Sequence, residues 1–352
     1  MFRRTASCAA LTALAVAGAV IPTANAADQQ RALRTRNPAA AAAGWLARQL
    51  SGPNQDHFTT SFGGTKYADD GNTADGVLGM DAAHVSQAAA KRMTAWLQKD
   101  AANYAGTAPN YYPGSLAKLL LVAEAQHVDI HNFGGIDLVA ALQGEENQDG
   151  LYDDPDAQYG YESPLTQALA IIALSHTGTP ADAPHGKPVQ WLIGQQCGDG
   201  GFDTATTDTP AATCTDVDTT AFAGQALLTA GSSTAAHAAI VWLRKHHNDD
   251  GGYGLDQDGK PMSNANSTAV AVQAVLQNGG TARAGLRWLI AHQVKCAAKR
   301  ARRGAIRYTT GFDHATALRA TTQAAQALGH RWLGHIDNAD AVDAQPRLRC
   351  SS

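Results

Sequence analysis

A unit made of a helix, a glycine-rich loop and a second helix recurs along this chain and restricts its fold more than any other feature. The clearest copy runs from Trp191 to Gly231. Its first part reads as the end of one helix followed by a Gly-rich turn, Cys-Gly-Asp-Gly-Gly-Phe. Its second part opens with Asp216, Asp218 and Thr219, which are typical of helix starts, and continues into an Ala-rich apolar run. Repeated units of this kind predict helices packed on helices.

The tryptophans show how often the unit recurs. Each is followed by leucine, and they are Trp45, Trp96, Trp191, Trp242, Trp288 and Trp332. Neighbouring tryptophans lie 44 to 51 residues apart, except across one gap of about two periods. Ala141 fills that gap, because it lies nine residues before Gly150, just as Trp191 lies nine before Gly200. This period accommodates two helices, so we expect helix pairs with each Trp-Leu on an outer helix.

The helix boundaries follow from the same register. We expect the first helices of the pairs to end near Gln49, Lys99, Glu146, Gln196, His247 and Gln293. We expect the second helices at residues 73–84, 114–127, 164–177, 219–230, 267–277 and 315–329. The second helices are apolar on most faces, as in Thr268–Leu276, and such helices are buried. Twelve helices, alternately outer and inner, predict an all-α fold, an α6/α6 toroid.

The chain divides into four parts. We expect a signal peptide at residues 1–26, a flexible N-terminal arm at 27–36, a toroid of six helix-pair repeats at 37–332 and a C-terminal tail at 333–352. Arg3 and Arg4 precede an apolar run from Ala9 to Ile21, and Ala24-Asn25-Ala26 is typical of a secretory cleavage site. The apolar run is too short to span a bilayer. These features predict a secreted, extracellular protein.

The cysteines and the charge restrict the partners. Cys197, Cys214, Cys296 and Cys350 remain after the predicted signal is removed, and an even number in an exported protein indicates disulfides. Of three possible pairings we favour Cys197–Cys214 and Cys296–Cys350, because each fixes a loop or the tail without crossing the core. The formal net charge of −4 argues against nucleic acid or an anionic membrane as partner. We expect a monomer without metal or cofactor.

The repeats resemble those of a known superfamily. The Trp-Leu, Gln and Asp-Gly-Gly-Phe/Tyr pattern, followed by Asp-x-Asp-Thr-Thr-Ala, is similar to the QW-type repeats of the terpenoid-cyclase and protein-prenyltransferase superfamily. The resemblance covers nearly the whole predicted mature chain and implies an α6/α6 toroid. In class II terpenoid cyclases an Asp-x-Asp-Thr-Thr motif carries the acid that protonates the substrate. That resemblance makes Asp218 the candidate general acid, with Asp216 beside it.

Other branches of the superfamily match less well. Prenyltransferase β subunits hold zinc with an Asp-x-Cys, which does not occur in this sequence. Thioester domains need Cys-Gly-Glu-Gln, whereas Cys197 is followed by Gly-Asp-Gly. Cobalamin carriers share the Asp-Thr-x-Ala helix start and are exported, but they add a small β domain that has no counterpart here.

A rim of polar residues is the predicted binding surface. Inner helices of a toroid start at the same end of the barrel, so their first residues should converge there. This places Asp70, Asn72, Tyr111, Tyr112, Tyr161, Asn266 and His314 around the mouth, with Asp75 and Tyr159 in the same ring. Tyrosines with Asn and Asp suit a small ligand, because they are apolar in body and polar at the tip. The other interpretation is that these are ordinary loop and cap residues.

Three functions remain open. The leading hypothesis is a non-catalytic binder of a small ligand or partner at this rim, with cobalamin-carrier-like binding as one form of it. The second is a class II cyclase-like enzyme using Asp218; the single domain and the low aromatic content speak against it, because aromatic faces stabilise carbocations. The third is a glycoside-cleaving enzyme with Asp70 and Asp218 as its carboxylates.

Two residue groups carry explicit alternatives. We expect Asp218 to be a helix cap that accepts hydrogen bonds from the backbone of Thr220 or Ala221, which would lower its pKa. The alternative is an acid pointing into a closed cavity. A basic run between the last two helices either meets a diphosphate or acidic partner or is a solvated loop. It consists of Lys295, Lys299, Arg300, Arg302, Arg303 and Arg307.

Overall fold

The computed structural model describes residues 34–153, 162–184, 186–255 and 258–350. In these ranges the chain forms twelve α-helices that alternate between two rings. The outer ring consists of α1 (Pro38–Leu46), α3 (Gln87–Ala105), α5 (Leu138–Gly144), α7 (Lys187–Gly194), α9 (Ser233–Lys245) and α11 (Arg283–His292). The inner ring consists of α2 (Asp70–Ala82), α4 (Pro113–Gln126), α6 (Pro164–Leu174), α8 (Val217–Thr229), α10 (Ala265–Gln277) and α12 (His314–Leu328).

The inner ring is closed. Each inner helix packs against the next one in the order α2, α4, α6, α8, α10, α12, and α12 packs back on α2. The outer helices pack on this ring from outside, and α1 bridges α12 and α2. The all-α α6/α6 toroid predicted from the repeats is thereby confirmed. None of the described helices is long and apolar enough to cross a membrane.

The inner helices start in a common way, which α8 illustrates. The Asp216 side chain caps the helix by accepting a hydrogen bond from the Thr219 backbone at 2.6 Å. The Thr220 hydroxyl accepts from the backbone N–H of Phe202 in the preceding loop at 2.9 Å. It also donates to the Asp216 carbonyl at 2.7 Å. In α2, α8 and α10 a helix-capping side chain is followed four residues later by a threonine that anchors the preceding loop to the helix.

The anchoring threonine recurs around the ring. Corresponding bonds join Thr73 to Phe58, Thr268 to Tyr253 and Thr321 to Ile306, while in α6 the Gln167 side chain accepts from Tyr152. The two threonines of the Asp-x-Asp-Thr-Thr sequence are both buried, and Thr220 has this structural role. The recurrence gives a structural register with which equivalent positions of the inner helices can be compared.

Two of the tryptophans, Trp242 and Trp288, join one repeat to the next. The indole N–H of Trp242 on α9 donates to Asp199 at 3.0 Å, and that of Trp288 on α11 donates to Asp250 at 2.8 Å. Both aspartates belong to Asp-Gly-Gly loops of the preceding repeat. Gly200 has a φ of 95°, and a Cβ there would lie 2.8 Å from the carbonyl oxygen of Ala238, so the loop requires glycine at that position.

The strands are short and occur only in pairs within the described residues. They are β1 (Arg34–Thr35), β2 (Thr59–Phe62), β3 (Thr65–Ala68), β4 (Gly106–Thr107), β5 (Asn110–Tyr111), β6 (Tyr253–Leu255), β7 (Pro261–Asn264) and β8 (Arg347–Leu348). Three pairs are antiparallel hairpins in the loops, and β1 pairs in parallel with β8. The helices therefore carry the architecture.

The prediction that every Trp-Leu pair lies on an outer helix is wrong for Trp332-Leu333. These residues begin the tail, where Leu333–His335 form a single 3-10 turn. The ring is already complete at α12, so a seventh outer helix has no inner partner. The turn instead covers the end of the barrel at which the inner helices finish, and the Leu333 N–H donates to the Gln225 side chain at 3.2 Å.

Both predicted disulfides are present. Cys197–Cys214 closes the loop before α8, and Cys296–Cys350 joins the loop after α11 to the end of the tail. The tail is therefore pinned, as expected. The last part of the predicted arm is ordered as β1, whereas the predicted signal peptide and residues 27–33 lie outside the described residues.

Candidate functional site

A cavity of about 560 Å³ runs along the axis of the toroid from the end where the inner helices start. It extends down to Leu333 of the tail, which forms part of its floor together with Leu78 and Leu121. Two residues of the β2 strand, Thr59 and Thr60, stand at its entrance. The volume lies in the range typical of sites for small organic ligands.

The register of the anchoring threonines explains which side chains line this cavity. Residues two positions before the anchor form an upper layer, and residues two positions after it form a middle layer. The two positions are four residues apart, so they lie on one face of each helix. The upper layer contains Gly71, Leu165, Asp218 and Arg319, and the middle layer contains Asp75, Lys118, Leu169, Phe222, Val270 and Gln323. All six inner helices therefore contribute.

The two layers give the cavity an apolar wall and a charged wall. Leu165, Leu169, Phe222 and Val270 form the apolar wall on α6, α8 and α10. Charged and amide side chains of α2, α4 and α12 form the other wall: Asp75, Lys118, Arg319, Gln323 and Gln326. This division suits a ligand that has a hydrocarbon part and a polar or anionic part.

Asp218 lies on α8, the middle helix of the apolar wall, and it is not a helix cap. Its neighbour Asp216 makes the capping bond, whereas Asp218 Oδ1 is shielded from solvent and has no hydrogen-bond partner among the described residues. Burial raises the pKa of Asp218 to about 6, although a hydrogen bond with the Ser267 hydroxyl opposes the rise. The expectation of a cap with a lowered pKa is therefore wrong, because the capping position is two residues earlier than assumed.

An ion pair holds the opposite side of the cavity. Lys118 Nζ lies 3.0 Å from Asp75 Oδ1, and both side chains are largely buried. Burial lowers the pKa of Lys118, but the Asp75 carboxylate more than compensates, so that this pKa is raised overall. Burial also raises the pKa of Tyr104, whose neighbours include Lys118 and Asp75. Lys118 is therefore a fixed cation, and among the described residues that line the cavity Asp218 is the carboxyl group whose pKa is raised toward neutral pH.

Some of the predicted rim residues do reach the cavity. Asn72 lines the entrance, where its amide donates to Asp69 at 2.7 Å. Asn266 is buried on α10, and its amide donates to the Gln323 side chain at 2.6 Å. The Asn266 oxygen has no hydrogen-bond partner in the structure. Asn266 thus positions a lining residue and offers an acceptor.

Other predicted rim residues lie elsewhere. Asp70 turns to Asp100 of α3, and burial together with that carboxyl raises the pKa of Asp70 to about 7. His314 bonds to the Gln49 side chain at 3.0 Å, away from the axis. Tyr111 is half-buried against the core, and Tyr112 lines a shallower depression of about 400 Å³ beside Lys118. Tyr161 and Tyr159 lie outside the described residues.

Sequence reasoning missed three of the charged lining residues, Asp69, Lys118 and Arg319. The available signal was the register: Arg319 is two residues before the anchoring Thr321, as Asp218 is before Thr220. The α12 helix begins one turn earlier, relative to its anchoring threonine, than the other inner helices do. For this reason the sequence predicted His314 at the rim in place of Arg319. In the described ranges, a Cys197, Asp203 and Cys214 group has metal-like spacing, but its two sulfurs form a disulfide.

Neither a protein-family model nor a curated protein sequence matches this chain. Solved structures do match. A form of the type II terpene cyclase MstE from Scytonema, in complex with its substrate geranylgeranyl dihydroxybenzoate, is 15% identical with a TM-score of 0.59, covering 87% of this chain and 98% of that one. An unsaturated glucuronyl hydrolase specific for heparin is 13% identical with a TM-score of 0.59, covering 86% and 97%.

A longer cyclase matches over part of its length. The ent-copalyl diphosphate synthase from Streptomyces platensis is 21% identical with a TM-score of 0.49, and the match covers 73% of this chain. This chain spans 50% of the length of that synthase. The match to MstE, with its TM-score of 0.59, shows that the fold is the terpenoid cyclase-like helical toroid.

Proposed function

We propose that this protein is a terpenoid cyclase-like enzyme in which Asp218 is the general acid. The observation that carries the proposal is the position of its carboxyl group in the axial cavity, free of the capping bond that Asp216 makes. A carboxyl group that is buried at a cavity wall, makes no capping bond and keeps one oxygen without a partner among the described residues matches what proton donation requires. The unpartnered Oδ1 is the atom that would hold the proton.

The reaction begins with proton transfer from Asp218 to a carbon–carbon double bond of the bound substrate. The electron pair of that double bond forms the new C–H bond and leaves a carbocation. A second double bond of the same molecule then attacks the cation and closes a ring. Loss of a proton from the last cation completes an isomerisation, and Asp218 regains a proton through the open mouth. The Phe222 ring on the apolar wall is placed to stabilise positive charge.

The charged wall indicates the kind of substrate. Lys118 and Arg319 suit an anionic head group, while the Leu165, Leu169 and Val270 side of the cavity suits a hydrocarbon chain. The substrate named for MstE, geranylgeranyl dihydroxybenzoate, combines a carboxylate with a prenyl chain. We therefore infer an amphipathic, unsaturated isoprenoid acid or diphosphate as the substrate class.

The test is incubation of the purified protein with geranylgeranyl dihydroxybenzoate, linear prenyl diphosphates and squalene, with products identified by gas chromatography and mass spectrometry. Asp218→Asn should lower the rate of cyclisation by about 10²–10⁴-fold, because an amide has no acidic proton. Asp216→Asn is the matched control, since Asn caps helices as well as Asp does and activity should remain. Equal product from wild type and Asp218→Asn, or no product from any substrate, contradicts the proposal.

A second candidate function is binding of the same kind of ligand without turnover. The composition of the cavity lining favours this function. Among the described residues that line the cavity, Phe222 is the one aromatic side chain, and the two cations Lys118 and Arg319 lie across the cavity from it. Calorimetry with the same compounds separates the two functions. A binder retains its affinity in Asp218→Asn and returns every compound unchanged.

A further inference from the structure

A second depression, of about 280 Å³, lies on the outside of the toroid and is lined by arginines. Arg34, Arg300, Arg303 and Arg347 surround it, with Leu348 and Cys350. They come from three segments that are far apart in sequence: strand β1, the turn after α11 and strand β8. We call these four arginines and the space between them the arginine pocket. It shares no lining residue with the axial cavity.

The parallel pairing of β1 with β8 puts like charges side by side. Arg34 and Arg347 are direct partners in the register of the two strands. Like charges at directly opposite positions destabilise a strand pair. Behind them, burial together with the charges of Arg347 and Arg300 lowers the pKa of Arg48 to about 10. Three segments of the fold thus converge to concentrate positive charge.

This charge has no counter-charge among the described residues that line the depression. The ion pairs found in the described ranges all lie elsewhere in the molecule. The formal net charge is −4, so carboxylates are available, yet none lines this depression. An acidic side chain beside these arginines would stabilise the fold, but the lining of the depression contains none.

The guanidinium groups are also partly fixed in place. Arg303 Nε donates to the Ala298 carbonyl at 2.9 Å, and its Nη1 lies 3.7 Å from the Cys350 sulfur. Arg48 Nη1 donates to the Pro346 carbonyl at 3.3 Å. The Cys296–Cys350 disulfide holds the tail beside the turn that carries Arg300 and Arg303. Within the described part of the chain, the other guanidinium N–H groups of the four pocket arginines make no hydrogen bond to another residue.

We propose that the arginine pocket binds a multiply charged oxyanion, that is, a phosphate or sulfate group. Guanidinium groups present paired N–H donors that match the oxygens of such anions. The concave shape favours a compact group over a flat macromolecular surface. Of the basic run identified in the sequence, Arg300 and Arg303 take part, while Arg302 instead lies 4.6 Å from the centre of the Phe312 ring.

Thermal unfolding of the full chain with inorganic diphosphate, phosphate and sulfate tests the proposal, with sodium chloride keeping the ionic strength constant. The melting temperature should rise in a saturable way with diphosphate or sulfate and not with chloride. Equal shifts with diphosphate and sulfate indicate a general oxyanion site, whereas a shift with the phosphates alone indicates a phosphate site. No shift beyond chloride with any of the three overturns the proposal.

Substitutions locate the effect. Arg300→Gln with Arg347→Gln should abolish the anion-dependent shift and also raise the melting temperature without anion, because repulsion is relieved. Arg300→Gln alone, in an exposed turn, should reduce the shift and serves if the double variant does not fold. Lys66→Gln, on the exposed hairpin of β2 and β3, is the control and should leave the shift unchanged. A shift retained in the arginine variants shows that the anion binds elsewhere, which overturns the proposal.

Discussion

The two ends of the toroid both bury carboxyl groups, and the larger pKa changes occur at the closed end. At the open end burial raises the pKa of Asp218 to about 6. At the closed end burial raises the pKa of Asp81 to about 8, and that of Glu124 likewise to about 8. Yet Asp81 is fully covered, and both its oxygens bond to Gln126 at 2.7 Å. The size of a pKa shift therefore reflects how deeply the carboxyl group is buried, whereas a candidate site must also be accessible to a ligand.

The tail creates the difference in access. At the closed end the Leu333–His335 turn lies against Leu78, Leu121 and His176, and leaves a space of only about 140 Å³. At the open end the upper layer contains Gly71, which has no side chain to fill the entrance. The inner helices alone would leave both ends similar. We expect changes at the closed end to affect stability and changes at the open end to affect function, because the tail covers only the closed end.

The largest effect on stability is expected from the disulfide that pins the tail. Replacing Cys296 and Cys350 with Ser opens a loop of 54 residues and should lower the free energy of unfolding by about 4 kcal/mol. Replacing Cys197 and Cys214, which span 17 residues, should cost about 3 kcal/mol. Hydrogen exchange should rise along the tail in the first variant and in the loop before α8 in the second. Equal exchange of the tail in both would show that the disulfide does not hold the closed end.

The pH dependence of stability should distinguish the two ends next. The folded-state pKa of Asp81 is raised from 3.8 to about 8, so the folded state keeps a proton that the unfolded state loses. Stability therefore falls as pH rises from about 4 to about 8. Asp81→Asn should remove this part of the fall and stabilise the protein at pH 8 by on the order of a few kcal/mol.

Asp218→Asn is the comparison for that experiment. The pKa of Asp218 is raised only to about 6, so its contribution to the loss of stability is smaller and ends near pH 6. Chemical denaturation at pH 4, 6 and 8 measures both variants. If Asp81→Asn is no more stable than wild type at pH 8, the Asp81 carboxyl is not held protonated, and the contrast between the ends fails.

The smallest effects are expected from two glycines. A Cβ at Gly334 would overlap the imidazole ring of His176, which is fixed by a 2.8 Å bond to the Ile172 carbonyl. Gly334→Ala should therefore destabilise by about 1–3 kcal/mol. A Cβ at Gly71 would meet only the Tyr104 hydroxyl at 3.6 Å, so Gly71→Ala in a helix should stabilise by up to about 1 kcal/mol. If the melting temperatures of Gly334→Ala and Gly71→Ala change in the same direction, the tail does not close its end of the toroid tightly.

Much of the fold could be predicted because the repeat is local. Capping residues, Ala-rich runs and glycine-rich turns are written within each unit, so the inner helices were placed within a few residues of their observed bounds. The disulfide pairing also followed, since each bond closes a loop or the tail. The tail was harder. Trp332-Leu333 carries the same local signal as the outer helices, but it forms no α-helix because the ring is already closed at α12.

The candidate site was predicted in part, for a related reason. The sequence by itself determined the helices, their order, and that Asp216 and Asp218 stand at an inner-helix start. It did not determine which of the two caps the helix, because both spacings are compatible with a capping residue. Tertiary structure decided that, since the bond from Phe202 to Thr220 sets the rotation of α8 and turns Asp218 to the axis. Tertiary structure also brought Lys118 and Arg319 to the axial cavity and the four arginines to the arginine pocket. Both depend on contacts between distant segments, which form only when the ring closes.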